Sequence, residues 1–223
     1  YYLNDNPTLT DNEYDSLLME LFKLEEEYSG FKLPESPTSS VGTKVLDQFA
    51  KIKHGTPMFS LADVFNEEEV EAFVTRVEKE IKNPEFTCEL KMDGLGVNLT
   101  YKDGLLVSAA TRGDGVIGED ITNNVKTIKY VPIRLNEPID LEVRGEIYMT
   151  KKSFEEANKK RAANGEDLFQ NPRNAAAGSA RQLDSKIAKE RKLDVLLYHV
   201  PNTTQSTQWE TLMKIKELGL PIN

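Results

Sequence analysis

Cysteine is almost missing from this chain: Cys88 is the only one in 223 residues. A single thiol closes no internal disulfide and builds no cysteine-rich zinc site, and this usage fits a reducing cytoplasm. Long apolar runs are missing too. The longest candidates, such as VLLYHV (195–200), are strand-sized, and no basic, apolar-cored leader opens the sequence, so no membrane partner is expected. Positive charge is in deficit, with 28 Lys and Arg against 37 Asp and Glu for a formal net charge of −9. That balance argues against a protein that coats nucleic acid indiscriminately. It is not uniform, because residues 151–161 (KKSFEEANKKR) and 181–192 (RQLDSKIAKERK) each carry five basic and two acidic side chains. Either run also reads as a solvated helix face.

What is present is ordinary for a globular protein, 39% hydrophobic and 29% charged. TDNE (10–13) has capping-box spacing, and Tyr14, Leu17, Leu18, Leu21, Leu24 and Tyr28 follow as one apolar helical stripe that Gly30 ends. LPESPTSSVGT (33–43) reads as a linker. Asn66 and the acids after it open a second helix with Val70, Phe73, Val74, Val77 and Ile81 as its buried stripe, closed by Pro84. From Phe86 strands dominate: FTCELKMD, GVNLTYKDG, LLVSAATRGDG and IDLEVRGEIYM, with Asp103-Gly104 as a tight hairpin turn. Short turns between consecutive strands predict antiparallel pairing. A helix over roughly 151–164, a small-residue segment at 171–184, the strand LDVLLYHV and a terminal helix QWETLMKIKELG complete the chain.

CELKMDGLGVNL (88–99) sets a lysine between two carboxylates. Read as a strand, it turns Cys88, Leu90 and Met92 toward a core and puts Glu89, Lys91 and Asp93 on the other face. Gly94 and Gly96 follow, and glycine inside a strand often marks close approach by a ligand or backbone. Glu142, Arg144 and Glu146 share a face of another strand, and TRGDG (111–115) offers Arg112 in a glycine-rich turn able to turn backbone N–H groups toward a phosphate. A lysine nucleophile, ribose and base partners and a phosphate clamp make up a nucleotide pocket. A lysine nucleophile must lose its proton: nearby carboxylates oppose this, whereas Arg112 and a bound Mg²⁺ favour it. The spacing alone is equally met by a salt-bridged strand facing water.

CELKMDG, with Lys91, resembles the Lys-x-Asp-Gly signature of covalent nucleotidyltransferases: DNA ligases, RNA ligases and mRNA capping enzymes. YYLNDNPTLTDNEYD (1–15), HGTPMFSL (54–61), TRGDGVIGEDIT (111–122), LEVRGE (141–146) and NPRNAAAGSARQLD (171–184) narrow the resemblance to bacterial-type NAD⁺-dependent DNA ligases, nearly end to end and in the family's order. The resemblance implies an α+β fold. A small helical subdomain that binds nicotinamide mononucleotide, with its linker, takes up 1–44. A nucleotidyltransferase (adenylation) domain built on antiparallel sheets with flanking helices takes up 45–223.

It further implies that Lys91 attacks the α-phosphorus of NAD⁺, with Asp93 beside it influencing protonation. Glu89 contacts adenine, Tyr198 stacks on it, Glu146 meets the ribose, Arg112 touches the AMP portion, and Ser60 and Leu61 line the site. Without the family, Tyr198 is an ordinary half-buried strand tyrosine. Tyr1, Tyr2, Asp11, Tyr14 and Asp15 match positions holding the nicotinamide mononucleotide half, and they separate this chain from ATP-dependent relatives; packing accounts equally for Tyr14. Arg173 and Arg181 are candidates for the DNA-dependent steps or braces of the fold, while His54 receives no catalytic role. NAD⁺ as AMP donor, Mg²⁺ and nicked double-stranded DNA are the implied cofactors and partner, for a cytoplasmic monomer serving DNA replication and repair. The family's later domains, its zinc module included, lie outside this sequence. The expectation is therefore of a fragment that binds adenosine-type ligands and does not seal nicks. An ATP- or GTP-using relative and a non-catalytic nucleotide-binding fragment are the alternatives.

Overall fold

A computed structural model describes residues 11–31, 36, 38 and 49–223. The expected cap at Thr10, Tyr1 and Tyr2, and most of the 33–43 linker lie outside these residues. Helix α1 runs Asp11–Glu27 and passes into a 3₁₀ turn at Ser29–Phe31. Its stripe is not covered among the described residues, since Leu17, Leu24 and Tyr28 are exposed.

The body is a four-stranded antiparallel sheet in the order β3 (Leu105–Thr111), β2 (Leu95–Lys102), β5 (Leu141–Tyr148), β6 (Asp194–His199). The expected hairpin joins β2 to β3, with Asp103 and Gly104 at φ 48° and 74°, the left-handed pair such a turn needs. Register puts Val97, Leu99 and Tyr101 on the same face as Gly145, Val143 and Leu141, and all but Leu141 of the side chains in that set are buried. Gly96 and Asn98 face the other way beside Glu146 and Arg144. A small second sheet pairs β1 (Lys51–Lys53) with β4 (Ile117–Glu119), three residues each and too short to stand out in the sequence.

Helices cover the sheet. The small-residue segment at 171–184 forms α5 (Pro172–Ala180), capped by Asn171, and its buried Ala175, Ala176 and Ala180 let it lie close against β2 and β5. Helix α3 (Thr122–Val125) packs on β3 and on α6 (Ser185–Glu190), while α4 (Lys151–Ala163) flanks α5. Helix α7 (Gln208–Glu217) begins with a complete capping box between Thr207 and Glu210 and packs on β6 through Leu212 and Ile215.

Two expectations about burial fail. FTCELKMD is not a strand: β2 starts at Leu95, Cys88 is exposed and Leu90 is 74% exposed. The segment enters no ladder among the described residues, and without a paired neighbour its alternation is not read out as a core face and a polar face. Helix α2 (Glu67–Glu80) forms with the expected Asn66 cap, yet none of its residues is buried. Phe73 meets only the ring of Phe86 at 6.0 Å and the guanidinium of Arg76 at 5.5 Å among the described aromatic and cation–π contacts. The stripe exists, but the described part of the molecule does not cover it.

Candidate functional site

The polar side of the β2–β5 ribbon, next to the start of β2, brings together five of the expected site residues: Asp93, Arg112, Glu146, Arg173 and Tyr198. Glu146 stands on β5 opposite Gly96 and accepts a hydrogen bond from the Gly94 N–H. Burial raises its carboxyl from 4.5 to about 7, against the opposing pull of the Arg173 and Arg112 guanidiniums and with a further push from Asp93. Four charged groups from four separate segments therefore share one field.

Of the two glycines in the LysMetAspGlyLeuGly run, space requires only Gly94. A Cβ on Gly94 would stand 2.0 Å from the Ile147 carbonyl oxygen, inside the neighbouring backbone. One on Gly96 would sit 3.4 Å from Arg112 Cβ and 3.7 Å from Glu146 Oε2, in the gap between arginine and carboxylate.

The 111–115 turn contributes differently from expectation. Its amides are largely engaged: Arg112 N–H donates to Gly96, Asp114 N–H to Ile117 and Gly115 N–H to Arg112. The Asp114 carboxylate takes the N–H groups of Val116 and Ile117, and the Ile117 bond leads in holding that carboxyl below its usual range. The turn is thus a rigid mount for the Arg112 side chain, whose Nη1 reaches Ser60 Oγ at 3.4 Å. His54, buried beneath, donates through Nε2 to the Arg112 carbonyl at 3.1 Å, since that oxygen only accepts. Arg144, also buried, clamps the same neighbourhood by donating to the Pro57 and Thr56 carbonyls and pairing with Glu142 at 3.2 Å.

Tyr198 follows the strand's alternation: Leu196 pairs with Glu146 on the polar side and Leu197 with Gly145 on the core side, so Tyr198 returns to the polar side, and an irregularity just beyond sets His199 opposite Arg144. Burial, then the Glu146 charge, pushes the Tyr198 phenol up to about 12. Arg173, in the first turn of α5, sets Nε 3.4 Å from Asp93 Oδ1. Arg181 sits at the opposite end of that helix, Nε donating to Ala177, about 12 Å along the axis from Arg173.

Lys91 projects into solvent, 71% exposed, with Nζ 4.0 Å from Asp63 Oδ1. Leu61 is exposed as well. Glu89 Oε1 takes the Thr87 hydroxyl at 3.3 Å and the Gln208 amide at 3.0 Å. Asp11, Tyr14 and Asp15 lie in the first turns of α1. Sequence reading passed over Asp63, Gln208 and the brace made by His54 and Arg144. Gln208 lies 119 residues from Glu89, and no local pattern announces such a contact. Among the described residues no cluster of three His, Cys, Asp or Glu side chains is built to hold a metal, and no helix is long and apolar enough to cross a membrane.

Comparison with known proteins gives this arrangement its context. Residues 46–223 match the NAD-dependent DNA ligase adenylation domain, and residues 1–42 match the DNA ligase-like N-terminal NAD⁺-binding domain. The chain is 52% identical over 225 residues to a DNA ligase of Acholeplasma laidlawii and 50% identical over 226 residues to one of Anoxybacillus flavithermus. In both cases the whole of this chain is covered and 34% of the relative, so the chain spans about a third of their length. A mixed fold of helices and antiparallel sheets, Asp93 and Gly94 after Lys91 set beside Glu146, and these matches together place the chain in the NAD-dependent DNA ligase adenylation domain family.

Proposed function

We propose that this chain is the adenylating portion of a DNA ligase that takes AMP from NAD⁺ and passes it to nicked double-stranded DNA in replication and repair. The observation that carries this reading is the gathering of Arg112, Glu146 and Arg173 around Asp93, two residues after Lys91, in a family named for NAD-dependent adenylation. Residues 1–44 form the nicotinamide mononucleotide module and 45–223 the adenylation domain. The protein acts as a cytoplasmic monomer.

Lys91 Nζ, exposed and so within reach of a ligand, loses its proton and attacks the α-phosphorus of NAD⁺. The new P–N bond leaves AMP on the lysine as the bond to nicotinamide mononucleotide breaks. AMP then moves to the 5′-phosphate at the nick, and the 3′-hydroxyl displaces it. Arg112 offsets charge on the AMP phosphate, Glu146 receives ribose hydroxyls, Tyr198 supplies a face for adenine, and Glu89 accepts from its amino group. Ser60 and Leu61 line the pocket. Asp93 is held by Arg173, which ties the lysine segment to α5 and, with Arg181, is available to DNA phosphates in the later steps. Tyr1, Tyr2, Asp11, Tyr14 and Asp15 hold the nicotinamide half, aromatic rings and carboxylates suiting a cationic ring and its ribose. Mg²⁺ would be held chiefly through substrate phosphates and one or two carboxylates.

The test is the intact mass of the protein before and after Mg²⁺ with either NAD⁺ or ATP. A single AMP adduct from NAD⁺ alone, mapped to Lys91 and absent from Lys91→Ala, is the expected result. AMP accepted from ATP, or an adduct on another residue, overturns the reading.

A further inference from the structure

We infer that Gln208 is a positioning residue for base selection, holding Glu89 so that the site prefers a 6-aminopurine to a 6-oxopurine. This rests on the proposed role of Glu89 in meeting the base. The Gln208 side-chain nitrogen donates to two acceptors at once, Glu89 Oε1 at 3.0 Å and the Tyr198 carbonyl at 2.8 Å. A carboxylate and a carbonyl only accept, so the amide orientation is fixed by chemistry and its oxygen cannot face either group. One side chain thereby ties the carboxylate assigned to the base edge to the backbone of the tyrosine assigned to the base face.

The anchor beneath it is firm. Gln208 is the first residue of α7, and the preceding cap is closed from both sides: Thr207 Oγ1 takes the Glu210 N–H at 3.1 Å, and Glu210 Oε2 takes the N–H groups of Thr207 and Ser206. Thr211 Oγ1 adds a bond back to the Thr207 carbonyl, and Leu212 and Ile215 seat the helix in the core.

On the carboxylate, the Thr87 hydroxyl and the Gln208 amide both fall on Oε1. Oε2 is then the edge turned to a ligand, and a carboxylate oxygen is a pure acceptor. It complements an amino group at purine position 6 and repels the oxygen of a 6-oxo base. Without Gln208 the exposed Glu89 side chain keeps only the longer bond from the neighbouring Thr87 hydroxyl, at 3.3 Å, and loses its tie to α7 and to the Tyr198 backbone. Base recognition weakens alike in the ground and transition states, so the loss falls on the concentration dependence of the reaction and spares its maximal rate.

The experiment compares wild type, Gln208→Ala and Gln208→Glu in the rate of AMP or IMP transfer to the protein. It titrates NAD⁺ and nicotinamide hypoxanthine dinucleotide, whose base carries oxygen at position 6. Gln208→Ala is expected to raise the half-saturating NAD⁺ concentration about tenfold, as for a lost hydrogen bond to a charged group. The maximal rate changes less than about twofold, and preference for NAD⁺ over the hypoxanthine analogue falls by a similar factor. Gln208→Glu, setting like charges together, loses more. Circular dichroism and the thermal midpoint identify a variant that fails to fold. Unchanged selectivity in folded Gln208→Ala, or a loss confined to the maximal rate, overturns the inference. Wild-type protein that takes no AMP on Lys91 overturns the adenylation reading instead.

Discussion

Arg173 Nε lies 3.4 Å from Asp93 Oδ1, joining the first turn of α5 to the residue two places after Lys91. The same guanidinium is the leading charge that holds Glu146 below where burial alone would put it. Arg173 therefore acts on two carboxylates at once. Arg173→Ala is expected to raise the Glu146 pKa above about 7, by roughly half to one unit. Carboxyl-carbon NMR of labelled glutamate against pH reads this directly, and an unmoved titration would contradict the placement of Arg173.

Glu146 also makes stability depend on pH. Its carboxyl holds a proton to about 7 in the fold, against an ordinary value of 4.5. Between those values the folded state binds more protons than the unfolded one, so stability falls as pH rises through that window. Glu146→Gln removes this slope. It should be more stable than wild type above pH 7 by about 1–3 kcal/mol, level with it near pH 4, and impaired by about 100-fold in AMP transfer. Urea unfolding at pH 4.5 and pH 8 tests the stability half.

Arg144 has its guanidinium buried among carbonyls and the Glu142 carboxylate. Removing it leaves these acceptors and Glu142 without their donor in a closed setting, a loss of about 3–5 kcal/mol. Arg144→Ala should unfold at lower denaturant and loosen the 54–61 segment that delivers Ser60 to Arg112. Hydrogen exchange at the Met58 amide, bonded to the Gly115 carbonyl at 2.8 Å, reports that loosening.

The glycines separate by what surrounds them. Gly94→Ala forces a methyl into the Ile147 carbonyl and should cost about 2–4 kcal/mol while displacing the lysine segment. Gly30 has nothing within 4 Å of the corresponding position, and Gly30→Ala should stay within about 0.5 kcal/mol of wild type. Thermal unfolding of the pair provides its own internal control.

Much of this molecule is local and was readable as such. The Asp103-Gly104 hairpin, the Asn66 cap, the strands around Leu99, Val143 and Leu197 and the helix opening at Gln208 follow from turn chemistry, capping and periodicity, all properties of neighbours in the chain. The Lys91–Gly94 run was legible for the same reason. Periodicity marks an apolar face without saying what covers it, and so Cys88 and Leu90, alternating correctly, are exposed, and the α2 stripe at Val70 and Phe73 has no buried member.

The chain by itself determined its elements, its turns and the residue types available for chemistry. Tertiary structure alone decided that Arg173 meets Asp93, that the pairing of β6 with β5 brings Tyr198 near Glu146, that Arg144 is buried, and that Gln208 reaches Glu89 from 119 residues away. Such contacts form when sheet register and helix packing bring distant segments within hydrogen-bond reach, and no pattern among sequence neighbours encodes that distance.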